Sequence, residues 1–168
     1  MSIAQTILPE FEHEMGTTRR VLAVVPNTEP EWRPHPKSTT IGNLAAHIAT
    51  IPLWGRMTMD RAELDLGVPE NAAAARVTFT SIPDLMDRFD RNVREARDAI
   101  ASTSDSAMRE TWTLKNGGTT VLSMPRVAVL RGFVLSHMIH HRGQLSVYLR
   151  LRDVPLPSIY GPTADTPR

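Results

Sequence analysis

The chain of 168 residues is about the length of one globular domain and is long enough to bury a hydrophobic core. Its net charge of +1 is much lower than the strongly positive charge of most nucleic-acid-binding proteins. No apolar stretch is long enough to cross a bilayer. The absence of cysteine excludes disulfides, cysteine-bound zinc and thiol nucleophiles. Because the first residues also lack a signal-peptide pattern, we expect a cytoplasmic protein without nucleic-acid or membrane partners.

Two amphipathic helices are predicted in the first third of the chain. Apolar residues over about 3–25 recur at alternating intervals of four and three, which is typical of a helix that packs in a bundle. The following run, PNTEPEWRPHPK, has four prolines in twelve residues and excludes a helix. The second helix begins near Ser38, Thr39 or Thr40, any of which can cap it, and Pro52 could kink its end.

The middle of the chain is less regular. The run RMTMDRAELDL, which begins at Arg56, could form a short helix, and GVPENAAAARVTFT, which begins at Gly67, is typical of a loop. Ser81 is the predicted cap of a third helix, which has Pro83 in its first turn and apolar residues recurring to Ile100. Roughly 25 residues separate the second helix from the third, well beyond the usual loop of a bundle, so the chain can cross over there.

A β-hairpin or an ordered loop is expected before the fourth helix, because TWTL and TTVL flank the turn-forming run KNGG. The fourth helix is predicted from about Pro125, with Ser123 as its cap, to about Arg152, and the proline-rich tail 153–168 is expected to be irregular. Four amphipathic helices predict an all-α fold. We expect a four-helix bundle with a long crossover between the second and third helices, formed by 1–168 as a single domain.

Polar residues interrupt the apolar stripe of the fourth helix. His137 and His141 lie one turn apart on one face, where both rings can bind the same ion. A divalent cation would satisfy imidazoles that are costly to bury alone, and His47 in the second helix, beside small alanines, is the candidate third ligand. At heptad spacing the stripe consists of Val127, Leu130, Val134, His137, His141, Gln144, Tyr148 and Leu151.

Four neighbouring side chains have alternative interpretations. Gln144 could hydrogen-bond a ligand ring or a bound water, or it could be satisfied within the core. His140, which points about 100° away from His141, is a candidate for supporting the ligands or for the surface. Tyr148 is another candidate near the ligands, although a core aromatic is the favoured interpretation over an acid catalyst. Arg142 could pair across an interface or hold the tail.

The segments TIGNLAAHIATIPLW, SHMIHHRGQLSVYLR and DVPLPSIYGPTAD resemble the DinB-like superfamily, the DinB/YfiT group of metal-binding proteins. The resemblance spans Thr40 to Asp165 and is most specific in HMIHHRGQ. It implies a four-helix bundle with a crossover, often a homodimer, that binds one divalent ion, such as zinc or nickel, through His47, His137 and His141. Relatives include thiol S-transferases that use low-molecular-weight thiols and a thiol-dependent maleylpyruvate isomerase.

Three functions are left open by the sequence. A metal-dependent thiol S-transferase or hydrolase would act on a small-molecule substrate at an open three-histidine site, with any thiol supplied by a cosubstrate. A non-catalytic or stress-associated module would use the ion to hold its helices together. In the third case the histidines are hydrogen-bonded core residues without a metal. Met138 takes the position of the glutamate in the His-Glu-x-x-His motif, so a general base of that kind is absent.

Overall fold

The computed structural model describes residues 1–166 and is mostly helical, with one small three-stranded sheet. Within those residues no helix is both long enough and apolar enough to cross a membrane. In chain order the helices and strands are α1 (Ile3–Leu22), α2 (Ile41–Asp60), β1 (Glu63–Asp65), α3 (Pro69–Ala75), α4 (Ile82–Ser102), α5 (Asp105–Arg109), β2 (Thr111–Asn116), β3 (Thr119–Pro125), α6 (Arg126–Ala128), a π-helical segment (Val129–Ser136) and α7 (His137–Leu151).

The long helices α1, α2, α4 and α7 contribute most of the hydrophobic core. Helix α2 packs against α4 and α7, and α1 packs against the same two helices. Each helix contributes large side chains that are at most 1% exposed, such as Phe11, Ile48, Phe89 and Leu145. This packing puts α2 beside α7, the two helices that carry the candidate metal ligands.

Hydroxyl side chains determine where three of the long helices begin. The Ser2, Thr40 and Ser81 hydroxyls each accept a hydrogen bond from the backbone amide three residues later. Each contact satisfies an amide that has no carbonyl partner in the first turn of its helix. The predicted caps of the second and third helices are therefore confirmed.

Helix α2 is longer than predicted. It continues through Pro52 to Asp60, so the separate short helix expected over 56–66 is wrong. The end of that segment forms β1 instead, and the predicted loop 67–80 contains α3. A strand as short as β1 forms only because it pairs with β2. The residues around β1 in the sequence do not indicate this pairing.

The predicted hairpin is confirmed, and it forms part of the sheet. Strand β2 pairs antiparallel with β3 and parallel with β1. Gly117 and Gly118 make the turn with φ values of 58° and 80°, a region that glycine adopts without steric penalty. The Asp65 carboxylate accepts hydrogen bonds from both glycine amides and so joins the end of β1 to the hairpin. The predicted fold therefore included this hairpin but missed β1, which completes a three-stranded sheet.

The fourth long helix is not α-helical throughout. Ser123, its predicted cap, lies in β3, and the helix begins with α6 directly after Pro125. The segment Val129–Ser136 is π-helical and therefore holds about one more residue in each turn than an α-helix does. A heptad stripe that runs unbroken from the start of this helix to its end is therefore wrong.

The buried face of α7 is shifted by one residue from the prediction. Gln144 and Leu151, which the heptad stripe places inward, are exposed, whereas His137 and His141 are partly buried. The fully inward side chains of α7 are Met138, Arg142, Leu145 and Leu149.

A buried ion pair joins α7 to α1 and to the C-terminal tail. The Arg142 side chain is 1% exposed and approaches the Glu14 carboxylate to 2.7 Å. It also donates a hydrogen bond of 2.6 Å to the Tyr160 hydroxyl, which in turn donates to the Glu14 carboxylate at 2.9 Å. Arg142 thus holds the tail, one of its two predicted roles. Residues 153–166 contain no helix or strand, as predicted, and 167–168 lie outside the described residues.

We expect Glu14→Gln to lower the free energy of unfolding by about 3 kcal/mol, because Arg142 would keep a buried charge without its counter-ion. Urea unfolding followed by circular dichroism measures this change. Glu12→Gln is the matched control on the same helix: Glu12 pairs with Arg97, and both side chains are 50% exposed, so little change is expected. Equal destabilisation by the two variants would contradict the importance of burial.

Candidate metal centre

Three histidine rings converge between α2 and α7. His47 projects from α2, while His137 and His141 project from successive turns of α7, and all three are partly buried. One nitrogen atom of each ring lies within 4.8 Å of a nitrogen of the other two. The structure therefore brings together the three residues that the sequence indicates as ligands.

The distances between the rings fit a shared centre. The Nε2 atoms of His47 and His137 are 3.2 Å apart. The ring centroids of His47, His137 and His141 are between 4.6 and 5.0 Å apart in each of the three pairs. Nitrogen ligands at about 2.0 Å from a tetrahedral zinc ion are separated by about 3.3 Å, so the distance between the two Nε2 atoms suits a single ion.

Burial favours the neutral form of all three rings. Burial is the main cause that lowers the pKa of His47 from 6.5 to about 4, and charge on His141 and His137 contributes to this fall. Burial is also the main cause of the lowered pKa of His137 and of His141. A neutral imidazole keeps the lone pair that binds a metal and does not repel a cation, so the electrostatics of the cluster suit a divalent ion.

Hydrogen-bond acceptors lie beside two of the rings. The Nδ1 atom of His141 lies 2.7 Å from Oε1 of Gln144, which favours a proton on Nδ1 and leaves Nε2 for an ion. The Phe133 carbonyl faces the His137 side chain and partly offsets the fall in its pKa. Among the residues the structure describes, the buried Nδ1 of His137 has no hydrogen-bond partner. The Gln144 contact therefore favours Nε2 of His141 as the nitrogen that faces the centre.

The donor set could hold a divalent metal ion. It consists of three imidazoles, without an aspartate or glutamate, within the part of the chain that the structure describes. Neutral imidazole nitrogens suit zinc, nickel and other transition metals better than calcium or magnesium. Three protein ligands also leave room in the coordination shell for water or a substrate.

The other two predicted site residues differ in their contacts, and only His140 lies beside a ligand ring. His140 is exposed, and the centroid of its ring is 4.9 Å from that of His141. Tyr148 packs edge to face on Trp32, with 5.7 Å between the ring centroids. This contact agrees with the interpretation of Tyr148 as a core aromatic.

Sequence analysis missed one aromatic residue next to the centre, Phe133. The Phe133 ring lies 5.5 Å from the His137 ring and 5.3 Å from the Trp54 ring, measured between centroids. Phe133 comes one helical turn before His137, and this spacing is the signal that could have identified it. Its ring is a source of the apolar surroundings that lower the pKa of His137.

Comparison with known proteins agrees with the sequence motifs. A family model of the DinB superfamily matches residues 10–145. The chain belongs to the DinB superfamily. No curated protein matches it.

Solved structures of DinB-like proteins share this fold. A DinB-like protein from Bacillus cereus ATCC 10987 has a TM-score of 0.68 at 20% sequence identity, over 93% of this chain and 97% of that one. A DinB-like protein from Bacillus subtilis also has a TM-score of 0.68, at 17% identity, over 92% of this chain and 96% of that one. At such low identity the likeness shows a common fold alone.

We expect the metal-free protein to lose stability as the pH falls from 6.5 toward about 4, the range between the ordinary and the folded-state pKa of His47. In that range the unfolded chain binds more protons than the folded one, so acid favours unfolding. Urea unfolding at about pH 7.5 and about pH 5, with a chelator present, measures the loss.

The loss should be smaller in His47→Gln, which has no ring to protonate at that position. His35→Gln, in an exposed loop, should behave as wild type. If His47→Gln and wild type lose the same stability on acidification, burial of the His47 ring is not the cause.

Proposed function

We propose that this protein binds one divalent transition-metal ion, zinc or nickel, through Nε2 of His47, His137 and His141. The observation that carries the proposal is the convergence of three imidazole nitrogens within 4.8 Å. Without a cation, a proton on one Nε2 can link His47 to His137 at 3.2 Å, whereas a single divalent ion would satisfy a lone pair of each of the three rings. We also propose that the four long helices form a four-helix bundle, with residues 61–81 as the crossover between α2 and α4.

Each helix has a definite task in this centre. Helix α7 presents two ligands one turn apart, and α2 supplies the third from across the interface between the helices. Gln144 holds the ring of His141 by accepting a hydrogen bond from Nδ1. Phe133 covers one side of His137 and excludes water from that side. Ligands that are held in this way need little rearrangement to bind an ion.

The proposed activity is thiol transfer or hydrolysis on a small-molecule substrate. A divalent ion at this position would supply Lewis acidity and so lower the pKa of a coordinated water or thiol. Because the chain has no cysteine, any thiol must come from a low-molecular-weight cosubstrate. The exposed face of α7 beside His141, where His140 and Gln144 lie, is the side from which both could approach.

A structural ion is the alternative. It is favoured by the composition of the cluster, because no carboxylate that could serve as a general base joins the three rings in the described part of the chain. In this case a fourth ligand would close the site, and removal of the metal would separate α2 from α7. A homodimer remains a prediction from the resemblance, and a cytoplasmic location remains a prediction from the sequence.

We expect His137→Ala to lose stoichiometric metal, about one ion per chain, because two imidazoles bind a transition metal far more weakly than three. Inductively coupled plasma mass spectrometry of protein purified without a metal-affinity column measures the content. His140→Ala is the matched control: its ring is exposed on the same helix, and its metal content should not change. Equal metal content in His137→Ala and wild type would count against the ligand assignment.

We expect the wild-type protein to transfer glutathione, bacillithiol or mycothiol to an electrophilic acceptor, and His47→Ala to lose this activity with its metal. A spectrophotometric screen of the three thiols with chlorodinitrobenzene and related acceptors measures the rate, with chelated wild type and wild type reloaded with zinc or nickel as controls. Absence of turnover with a fully loaded protein would favour the structural ion.

A further inference from the structure

The π-helical segment Val129–Ser136 ends directly before the first ligand of α7. Its widened turn carries a side-chain hydrogen bond, in which the Ser136 hydroxyl donates to the Arg131 carbonyl, five residues earlier, at 2.9 Å. In an α-helix such hydroxyls bond to the carbonyl three or four residues earlier, as Ser146 does with Gly143 at 2.7 Å. The Ser136 contact therefore spans the extra residue that distinguishes the π-helical turn.

This extra residue changes which side chains of α7 face the core. Val129, Leu130, Val134 and Leu135 are buried in the π-helical segment, and the buried face continues in α7 through Met138, Arg142, Leu145 and Leu149. In a continuous α-helix the buried stripe would instead pass through His137 and on to His141, as the heptad spacing of the sequence predicts. The widened turn therefore moves the histidine pair from the core to its edge.

We propose that the π-helical segment, closed by the Ser136 hydroxyl, turns His137 and His141 out of the core and toward His47, and that Ser136 is a positioning residue for the centre. The inference rests on the proposed metal site and accounts for its access to solvent. At the edge of the core, the rings meet α2 on one side and remain open to a substrate on the other. If His137 and His141 lay within the core instead, their rings would be closed off from solvent, and Met138 and Arg142 would lie outside the core.

The same segment also contacts the ring of His137. Phe133 belongs to the segment, and the centroid of its ring lies 5.5 Å from that of His137. The Nε2 atom of His137 lies 3.2 Å from Nε2 of His47, so one proton or one ion can lie between the two rings. A change in the segment that moves the His137 ring should therefore change the tautomer of His137 in metal-free protein.

The first test measures zinc affinity by competition with a fluorescent chelator. We expect Ser136→Ala to bind zinc about tenfold more weakly than wild type, because contacts behind metal ligands contribute about this much. Ser136→Thr, which keeps the hydroxyl, should restore the affinity. Ser146→Ala removes a similar hydroxyl contact from the same helix, beyond the ligands, and should bind as wild type. Equal affinities for Ser136→Ala and Ser146→Ala would overturn the positioning role.

The second test uses metal-free protein. Two-bond nitrogen–proton NMR spectra should show His137 of the wild type in one tautomer, and a mixture of tautomers in Ser136→Ala. An unchanged tautomer in Ser136→Ala would overturn the proposal. This result does not depend on metal binding: a wild-type protein that binds no zinc would contradict the proposed function, while the tautomers would still decide whether Ser136 positions the ring.

Discussion

The convergence of three neutral imidazoles at the contact between α2 and α7 is the constraint on which the candidate site depends. His47 and His137 approach to 3.2 Å between their Nε2 atoms, and burial lowers the pKa of both rings. Partly buried rings so close together cannot all be protonated, and their lone pairs repel unless a proton or a cation lies between them. The arrangement is favourable only if α2 and α7 keep a fixed rotation about their own axes and a fixed distance from each other.

Contacts outside the cluster supply that rotation. On the face of α7 toward α1, the buried Arg142 side chain is fixed by the Glu14 carboxylate and by the Tyr160 hydroxyl. Because Arg142 directly follows His141, this network limits how far α7 can turn about its own axis. The π-helical segment then connects the fixed part of α7 to the core residues before it. Stability and site geometry are therefore linked through one helix.

Much of the helical part of the fold could be read from the chain. The Thr40 and Ser81 caps and the hairpin at Gly117 and Gly118 are local signals, because each depends on the chemistry of a few consecutive residues. Strand β1 could not be read, because it needs β2, which lies about fifty residues further along the chain, as its partner. The continuation of α2 through Pro52 depends in the same way on packing.

The sequence alone determined which three side chains could meet: a histidine pair at helical spacing in one helix and a single histidine in another, in a chain without cysteine. Only the tertiary structure decided how they meet. Heptad spacing places His137 and His141 inside the core, whereas the π-helical turn moves them to its edge and buries Met138 and Arg142 instead. An extra residue in one turn is favoured by the packing of both ends of the helix, and that packing is a property of the whole fold.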